Sequence, residues 1–412
     1  MQVRAHLCID KVEIMGKERR KDAYTFILLL GVVSLLGDFV YEGGRSVAGP
    51  YLAFLGASSI AIGFIAGSGE LIGYALRIVS GWTADKTSQY WTMTIIGYSL
   101  ILCIPLLAFA GMWQIAAMMY IVERVGKALR APSRDVLLSN ATKQTGRGWG
   151  FGIHEALDQI GAVVGPLSFT AIFLIHGGYK TGFAYLLIPA ILCIMVVFIA
   201  RWKYPHPEKM EDEEKAFVES KVPKKLTSVF WYYSAFTLFV VMGFSSFTLM
   251  SYHWDKIGTV GDSVIPVFYA IAMGIDAVVA LIIGKAYDKY GLVLLAVLPI
   301  MTLLIPFFAF TSSWTFALIS IVFWGVAMGV QETIMRAAIA NLTHIKKRGI
   351  AYGIFNTIYG VGLFIGASVM GILYSWNISY IMIFVTIMVI ASLPFFSVIC
   401  RQCKFDEQSN KY

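Results

Sequence analysis

Acidic and basic residues recur at helical spacing inside stretches that are otherwise almost wholly apolar. Asp38, Glu42 and Arg45 stand at i, i+4 and i+7, so they share one face of a helix. Glu70 and Arg77 follow at i, i+7. Glu123, Lys127, Arg130 and Arg134 form a longer stripe, with Arg124 beside its first member. His154 and Asp158 share a face that Gly161 and Gly165 continue, and Asp276, Glu332 and Arg336 make a sparser set later on. Burial favours the neutral form of a carboxyl group and a nearby arginine favours the charged form. A carboxylate caught between the two can exchange a proton near neutral pH, so acids and bases at one depth point to a site where a proton and a solute compete. A static ion pair that fixes helix packing is the other reading of Asp38 and Glu70. Lys127 reads either as a cavity-facing cation or as the partner of Glu123. An anionic solute fits if Lys127 and Arg130 stay unpaired. His154, the one histidine inside a predicted span, reads as a proton relay or as a packing residue.

The elements that must position these residues are membrane spans. Of 412 residues 58% are hydrophobic and only 14% charged, with a mean hydropathy of +0.71. A soluble domain carries roughly 25% charged residues. Twelve apolar segments are predicted as helices, over 24–46, 58–82, 92–110, 113–134, 148–173, 181–202, 230–252, 264–286, 291–310, 314–336, 350–373 and 378–400. Each spans about 30 Å of hydrocarbon with some tilt. From a rise of about 1.5 Å per residue, Glu70, Glu123 and Arg124 fall near mid-membrane, with Asp38 and Asp158 within roughly 5 Å of it. Most of the 33 Lys and Arg lie at the termini and in every second loop, while the opposite loops carry only Lys180 and Lys256. Both termini are therefore expected in the cytoplasm of a plasma-membrane protein. The charge of +8 is then a topology signal, and no nucleic-acid partner is expected. The expected partners are the bilayer and a small-molecule substrate, with a monomer as the working unit. No cleavable signal peptide is read at the N-terminus. Trp113, Tyr185, Trp254, Trp314 and Trp376 read as interfacial anchors, and Phe151, Trp324, Phe355 and Tyr359 as cavity or core residues.

The chain divides as 1–22, an N-terminal cytoplasmic segment; 23–202, a six-helix bundle; 203–228, a charged linker; 229–401, a second bundle; and 402–412, a tail. The bundles repeat each other. Gly81-Trp-Thr-Ala-Asp85-Lys86 follows the second span and Gly284-Lys-Ala-Tyr-Asp288-Lys289-Tyr-Gly291 the eighth. At a constant offset of 201 residues, Asn140, Thr142, Arg147, Gly152, Gly161 and Gly165 match Asn341, Thr343, Arg348, Gly353, Gly362 and Gly366. Such repeats mark secondary transporters with a midplane site between halves.

At these residues the chain resembles the major facilitator superfamily, whose signature after the second helix is G-x-x-x-D-[RK]-x-G-[RK]-[RK]. The second copy fits through Gly291; the first keeps Gly81, Asp85 and Lys86 and then has Ser88 for the glycine. The resemblance implies an all-α integral membrane fold of twelve transmembrane helices in two pseudo-symmetric six-helix bundles, and a cytoplasmic gate at Asp85, Lys86, Asp288 and Lys289. Gly161-x-x-x-Gly165-Pro166 resembles the antiporter motif of drug/proton exporters, although Phe169 and Thr170 replace its final glycines. Glu123-Arg124-Val-Gly-Lys127-Ala-Leu-Arg130-Ala-Pro132-Ser-Arg134-Asp135 resembles the fourth-helix motif, whose arginine the family implicates in proton coupling, and matches a prokaryotic drug-resistance-like group. By this reading Asp38, Glu42, Glu70, Glu123, Arg124, Lys127, His154 and Asp158 are coupling candidates. Asp276, Glu332 and Tyr359 belong to the second-half cavity, and Arg130 and Arg134 to the gate or to topology.

The expected function is proton-coupled export of small amphipathic molecules. The alternatives are uptake of a polar or anionic metabolite and a transport-dead sensor on the same fold. No nucleotide-binding loop, metal-ligand cluster or nucleophile motif is present in the sequence, so neither enzyme chemistry, a metal nor a cofactor is expected, and an ion gradient supplies the energy. Cys400-x-x-Cys403 has no second pair to complete a metal site, and five scattered cysteines form no disulfide framework. Spans 3, 9 and 12, which carry no Asp, Glu, Lys, Arg or His, and span 6, which carries only Arg201 at its end, are expected to face lipid. A fluorescent-protein fusion after Tyr412 should fluoresce in a bacterial host and an alkaline phosphatase fusion there should be inactive; the opposite pattern would reverse the orientation.

Overall fold

A computed structural model describes residues 2–145, 147–207, 226–343 and 348–409. Most of the predicted linker, the C-terminal residues 410–412 and the side chains of Asp288, Arg336, Asn341, Arg348 and Cys403 lie outside the described residues. The described chain is helical, without strands. In order, α1 is Gln2–Ser46 with a short continuation Ala48–Phe54; α2 is Ser59–Thr87; α3, Tyr90–Phe109; α4, Trp113–Thr145; α5, Arg147–Leu174; and α6, Tyr179–Lys203. The second half holds α7 (Ser228–Ile257), α8 (Ile265–Tyr290), α9 (Gly291–Ala309), α10 (Trp314–Leu342), α11 (Arg348–Trp376) and α12 (Ile378–Ser409).

The helices overrun the apolar segments that predicted them. α1 begins at Gln2 rather than near 24, α4 continues to Thr145 rather than 134, and α12 runs to Ser409. Apolarity marks only the stretch that lipid must cover. Helical hydrogen bonding continues through flanking Lys, Glu and Arg, which are good helix formers. α7 breaks at Phe244–Ser246 and resumes when the Ser246 hydroxyl accepts from the Leu249 amide. Because α7 then runs to Ile257, His253 lies within a span and His154 is not the only histidine there. Trp254, expected as an interfacial anchor, is fully buried and donates to the Ala309 carbonyl (2.7 Å). Tyr185, Trp314 and Trp376 are exposed near helix ends.

Among the described residues, eleven helices are long and apolar enough to cross a membrane. The exception, α4, is 33 residues long but carries six charged residues between Glu123 and Asp135. It can sit inside the bundle only because neighbouring helices neutralise that face, as described below.

Repeat-related glycines set the packing inside each half. A Cβ at Gly161 or Gly165 of α5 would collide with the carbonyls of Leu35 and Phe39 on α1. One at Gly366 of α11 would collide with the Met242 carbonyl of α7, and one at Gly362 would lie 3.1 Å from the Leu238 carbonyl. The same device therefore joins α5 to α1 and α11 to α7. Across the halves, α2 lies along α11, with Gly63 against Ala367 and Gly371 against Ser59. α5 packs on α8, and the continuation of α1 packs on the second part of α7. Ile188, Ile191, Met195 and Phe198 of α6 and Ile383, Ile387 and Ile390 of α12 present bare apolar surface.

Gly165→Ala should lower stability by about 1–3 kcal/mol through overpacking, read as a lower melting temperature in detergent. Gly152→Ala, where a Cβ meets nothing within 4 Å, should melt like the parent. An unchanged melt for Gly165→Ala would contradict the close approach.

Candidate functional site

A cavity of about 160 Å³ lies between the two halves, walled by α1, α2 and α4 on one side and α7, α8, α10 and α11 on the other. None of its lining residues comes from α3, α6, α9 or α12, nor from α5. The structure thus gathers Glu42, Glu70, Glu123, Arg124, Lys127, Glu332 and Tyr359 around one space and leaves Asp38, His154, Asp158 and Asp276 off its wall.

Glu70 is the centre of the first-half wall. Its Oε1 accepts from Arg124 Nη2 at 2.8 Å and from Arg45 Nη2 at 2.9 Å. Gly69 and Gly73 make this possible: a Cβ at Gly69 would stand 3.2 Å from Arg124 Cγ and one at Gly73 3.8 Å from Cδ. This glycine pair forms a slot for the Arg124 side chain. Tyr41 lies beneath the cations, with its ring 4.1 Å from Lys127 Nζ and 4.7 Å from the Arg124 guanidinium carbon.

Glu42 joins the halves. Its Oε2 accepts from the Tyr269 hydroxyl of α8 at 2.6 Å, while Lys127 Nζ and Arg45 Nη1 each stand 3.9 Å from its carboxylate. Glu123 is paired with Arg130 Nη2 at 2.8 Å, and Arg130 also donates to the Gly97 carbonyl of α3. Of the two readings of Lys127, pairing with Glu123 is not the one seen, since Arg130, two turns along α4, reaches Glu123 first. Arg130 is 3% exposed and held between α3 and α4, buried within the bundle.

A second polar cluster lies between α1 and α5. Ser34 Oγ accepts from Arg134 Nη1 at 2.9 Å and lies 2.8 Å from His154 Nε2 and 3.4 Å from the Tyr98 hydroxyl. α1 and α5 run side by side, so one turn further along each stand Asp38 and Asp158. Asp38 has no hydrogen bond or ion pair among the described residues, and Asp158 Oδ1 is buried without a hydrogen-bond partner. Arg134 also pairs with Asp135.

In the second half, Tyr359 donates to Gln331 Oε1 at 2.6 Å and meets the Tyr74 ring edge-on at 4.8 Å. Arg77 stands 4.7 Å above that same Tyr74 ring. Asp276 is buried on α8 behind the wall. Phe355 stacks on Tyr233 in the core, and Phe151 is exposed, so neither lines the cavity. Asp85 and Lys86 are exposed at the end of α2, where Asp85 accepts from Tyr90 and Lys86 covers Trp82. Gly81 faces Pro132, Gly284 faces Thr333, and Lys289 is exposed beside Tyr290. Pro166 continues α5 directly after Gly165. Among the described residues no group of three His, Cys, Asp or Glu side chains is placed to hold a metal.

The repeat carries through to this geometry. Trp113 and Trp314 open α4 and α10 at the same offset of 201 residues, which sets Glu123 against Trp324 and Lys127 against Met328. All four line the cavity, two charged and two apolar.

The Major Facilitator Superfamily profile matches residues 28–330 and 263–403, covering both repeats. The chain belongs to the Major Facilitator Superfamily. An uncharacterised protein of Mycobacterium tuberculosis is 40% identical over 367 residues, covering 88% of this chain and 90% of the relative. Two solved structures share the fold. A POT family transporter in complex with 5-aminolevulinic acid has a TM-score of 0.71 at 14% identity, covering 91% of this chain and 96% of that one. A nucleoside transporter has a TM-score of 0.69 at 13% identity, covering 91% and 99%. The protein is therefore a multi-pass membrane protein with the fold of secondary transporters.

Sequence reasoning placed Arg45 on the right stripe without seeing its bond to Glu70. It missed Tyr41, Tyr74, Tyr269 and Gln331, because tyrosines and glutamines in apolar helices carry no spacing signal of their own. Glu70→Gln should leave Arg45 and Arg124 without their shared counter-charge and cost about 3 kcal/mol or more, the low end for a broken buried pair because the site opens on a cavity. Thermal unfolding reads this, and a loss below that of Asp38→Asn would contradict the central role of Glu70.

Proposed function

We propose that this protein is a secondary active transporter that exports small amphipathic molecules by alternating access, in exchange for protons. The observation that carries this reading is the two-faced cavity. Its first-half wall presents carboxylates and cations, and its second-half wall presents Phe244, Phe247, Trp324, Met273 and Met328 with the single carboxylate of Glu332. A solute with one polar and one apolar end matches both walls, and apolar pockets with few convergent polar groups are the usual form of a small-molecule site. Entry from either side requires the halves to part along α2–α11 and α5–α8, and the first of these seams is joined largely by glycine and apolar contacts that can slide.

Proton exchange belongs to Asp38 and Asp158, carboxyl groups on the α1–α5 seam that no hydrogen bond or close ion pair holds among the described residues. That seam ends in the Gly161–Gly165 contacts, so a change of charge there acts on the packing of α1, which also carries Glu42 and Arg45 into the cavity. The protein sits in the plasma membrane with both termini in the cytoplasm and works as a monomer. Uptake of an anionic metabolite has less support, because Arg130 is taken by Glu123 and Lys127 lies beside Glu42.

Proteoliposomes loaded with a pH-sensitive dye test this. A panel of one-ring amphipathic amines, acids and alcohols is added under an imposed pH gradient, with protein-free vesicles as control. At least one compound should collapse the gradient faster with protein present, and Asp38→Asn should abolish the effect while solute exchange at equilibrium persists. Saturable movement of a panel member without proton movement would sink the coupling.

A further inference from the structure

One face of α10 presents Trp324, Met328 and Glu332 to the cavity at i, i+4 and i+8. By a rise of about 1.5 Å per residue, the carboxylate stands roughly 6 Å from the thioether along the helix and roughly 12 Å from the indole. The indole is fixed. Its Nε1 donates to the Ser245 carbonyl (3.0 Å), a group left free by the break in α7, and its ring stacks on Phe244 at 5.7 Å. The carboxylate has no such partner among the described residues. Every other acid lining the cavity has a donor or cation: Glu42 has Tyr269, Glu70 has Arg45 and Arg124, and Glu123 has Arg130. Glu332 has no hydrogen bond or ion pair among the described residues.

The cations on the opposite wall are engaged. Arg45 and Arg124 are committed to Glu70, Lys127 lies over Tyr41 and near Glu42, and Arg77 lies over Tyr74. Among the described residues, the acid on this space left without a donor or cation is Glu332, and it lies beside aromatic and thioether surface. Carboxylates in such surroundings select cations, and ring faces add cation–π attraction for ammonium groups. A volume of about 160 Å³ admits a molecule with one ring.

We propose that the cavity selects one-ring organic cations, quaternary or protonated amines, with the positive group on Glu332 and the ring against Met328 and Trp324. This assigns the substrate class of the site and rests on the transporter reading above. Glu332 is the specificity-determining residue, and no residue of the proton seam takes part.

The test is equilibrium binding to the purified full-length protein in detergent, with no gradient present, so that it reads charge selection apart from transport. The probes are phenethyltrimethylammonium and its anionic counterpart phenylethanesulfonate, followed by ligand-observed NMR titration. The cation should bind and the anion should not. Glu332→Gln should weaken the cation at least about tenfold, the scale of one charge-assisted contact, without lowering the melting temperature, and Glu332→Asp should keep most of the affinity. Equal binding of the cation to parent and Glu332→Gln, tighter binding of the sulfonate, or binding of neither probe would overturn the proposal. Cation binding that depends on Glu332 but never moves across vesicles would leave the charge selection standing and remove the transport reading.

Discussion

Charge in hydrocarbon is the constraint on which this molecule is organised. An ionisable side chain inside the bilayer costs several kcal/mol unless it meets a partner or water, whereas a close ion pair at an effective dielectric near 20 recovers roughly 4 kcal/mol at about 4 Å. α4 carries more charge than lipid would tolerate, and it lies inside the bundle because α1, α2 and α3 supply what its side chains need. Glu70 takes two arginines at once, Glu123 takes Arg130, and Tyr41 lies under three cations. The packing of the first half follows from these bonds: Gly69 and Gly73 open the slot for Arg124, and Gly97 lends its carbonyl to Arg130.

The two halves descend from one pattern but have been given different chemistry. Where the first repeat places Glu123 and Lys127, the second places Trp324 and Met328. Pseudo-symmetry brings these four onto the cavity, so a difference in residue type sets a carboxylate and an ammonium group opposite an indole and a thioether. The halves meet through close helix contacts, and a hydrogen bond crosses between them at the cavity from Tyr269 to Glu42 at 2.6 Å. It sits on the same carboxylate that Lys127 and Arg45 approach, so the charge state of the first-half wall and the contact between halves share one group.

The fold class, the twelve spans and the six-plus-six division were legible in the sequence because hydrophobic length and repeated glycine spacing are local properties. The first-half stripes were legible as well, since residues at i, i+4 and i+7 share a face whatever surrounds them. Partners were a different matter. Lys127 and Arg130 are equally plausible neighbours of Glu123 on spacing, and only the side-chain paths in the folded bundle decide for Arg130. Asp38 and Asp158 stand with Glu70 in the sequence pattern, yet the structure turns them onto the α1–α5 seam and away from the cavity. Trp254 has the position of an interfacial anchor, and tertiary packing buries it. Helical periodicity thus determined which residues travel together on a helix. Which helix each stripe faces, which carboxylate keeps no partner, and that Tyr269 reaches Glu42 from 227 residues away depend on the approach of non-adjacent helices, which no local pattern encodes.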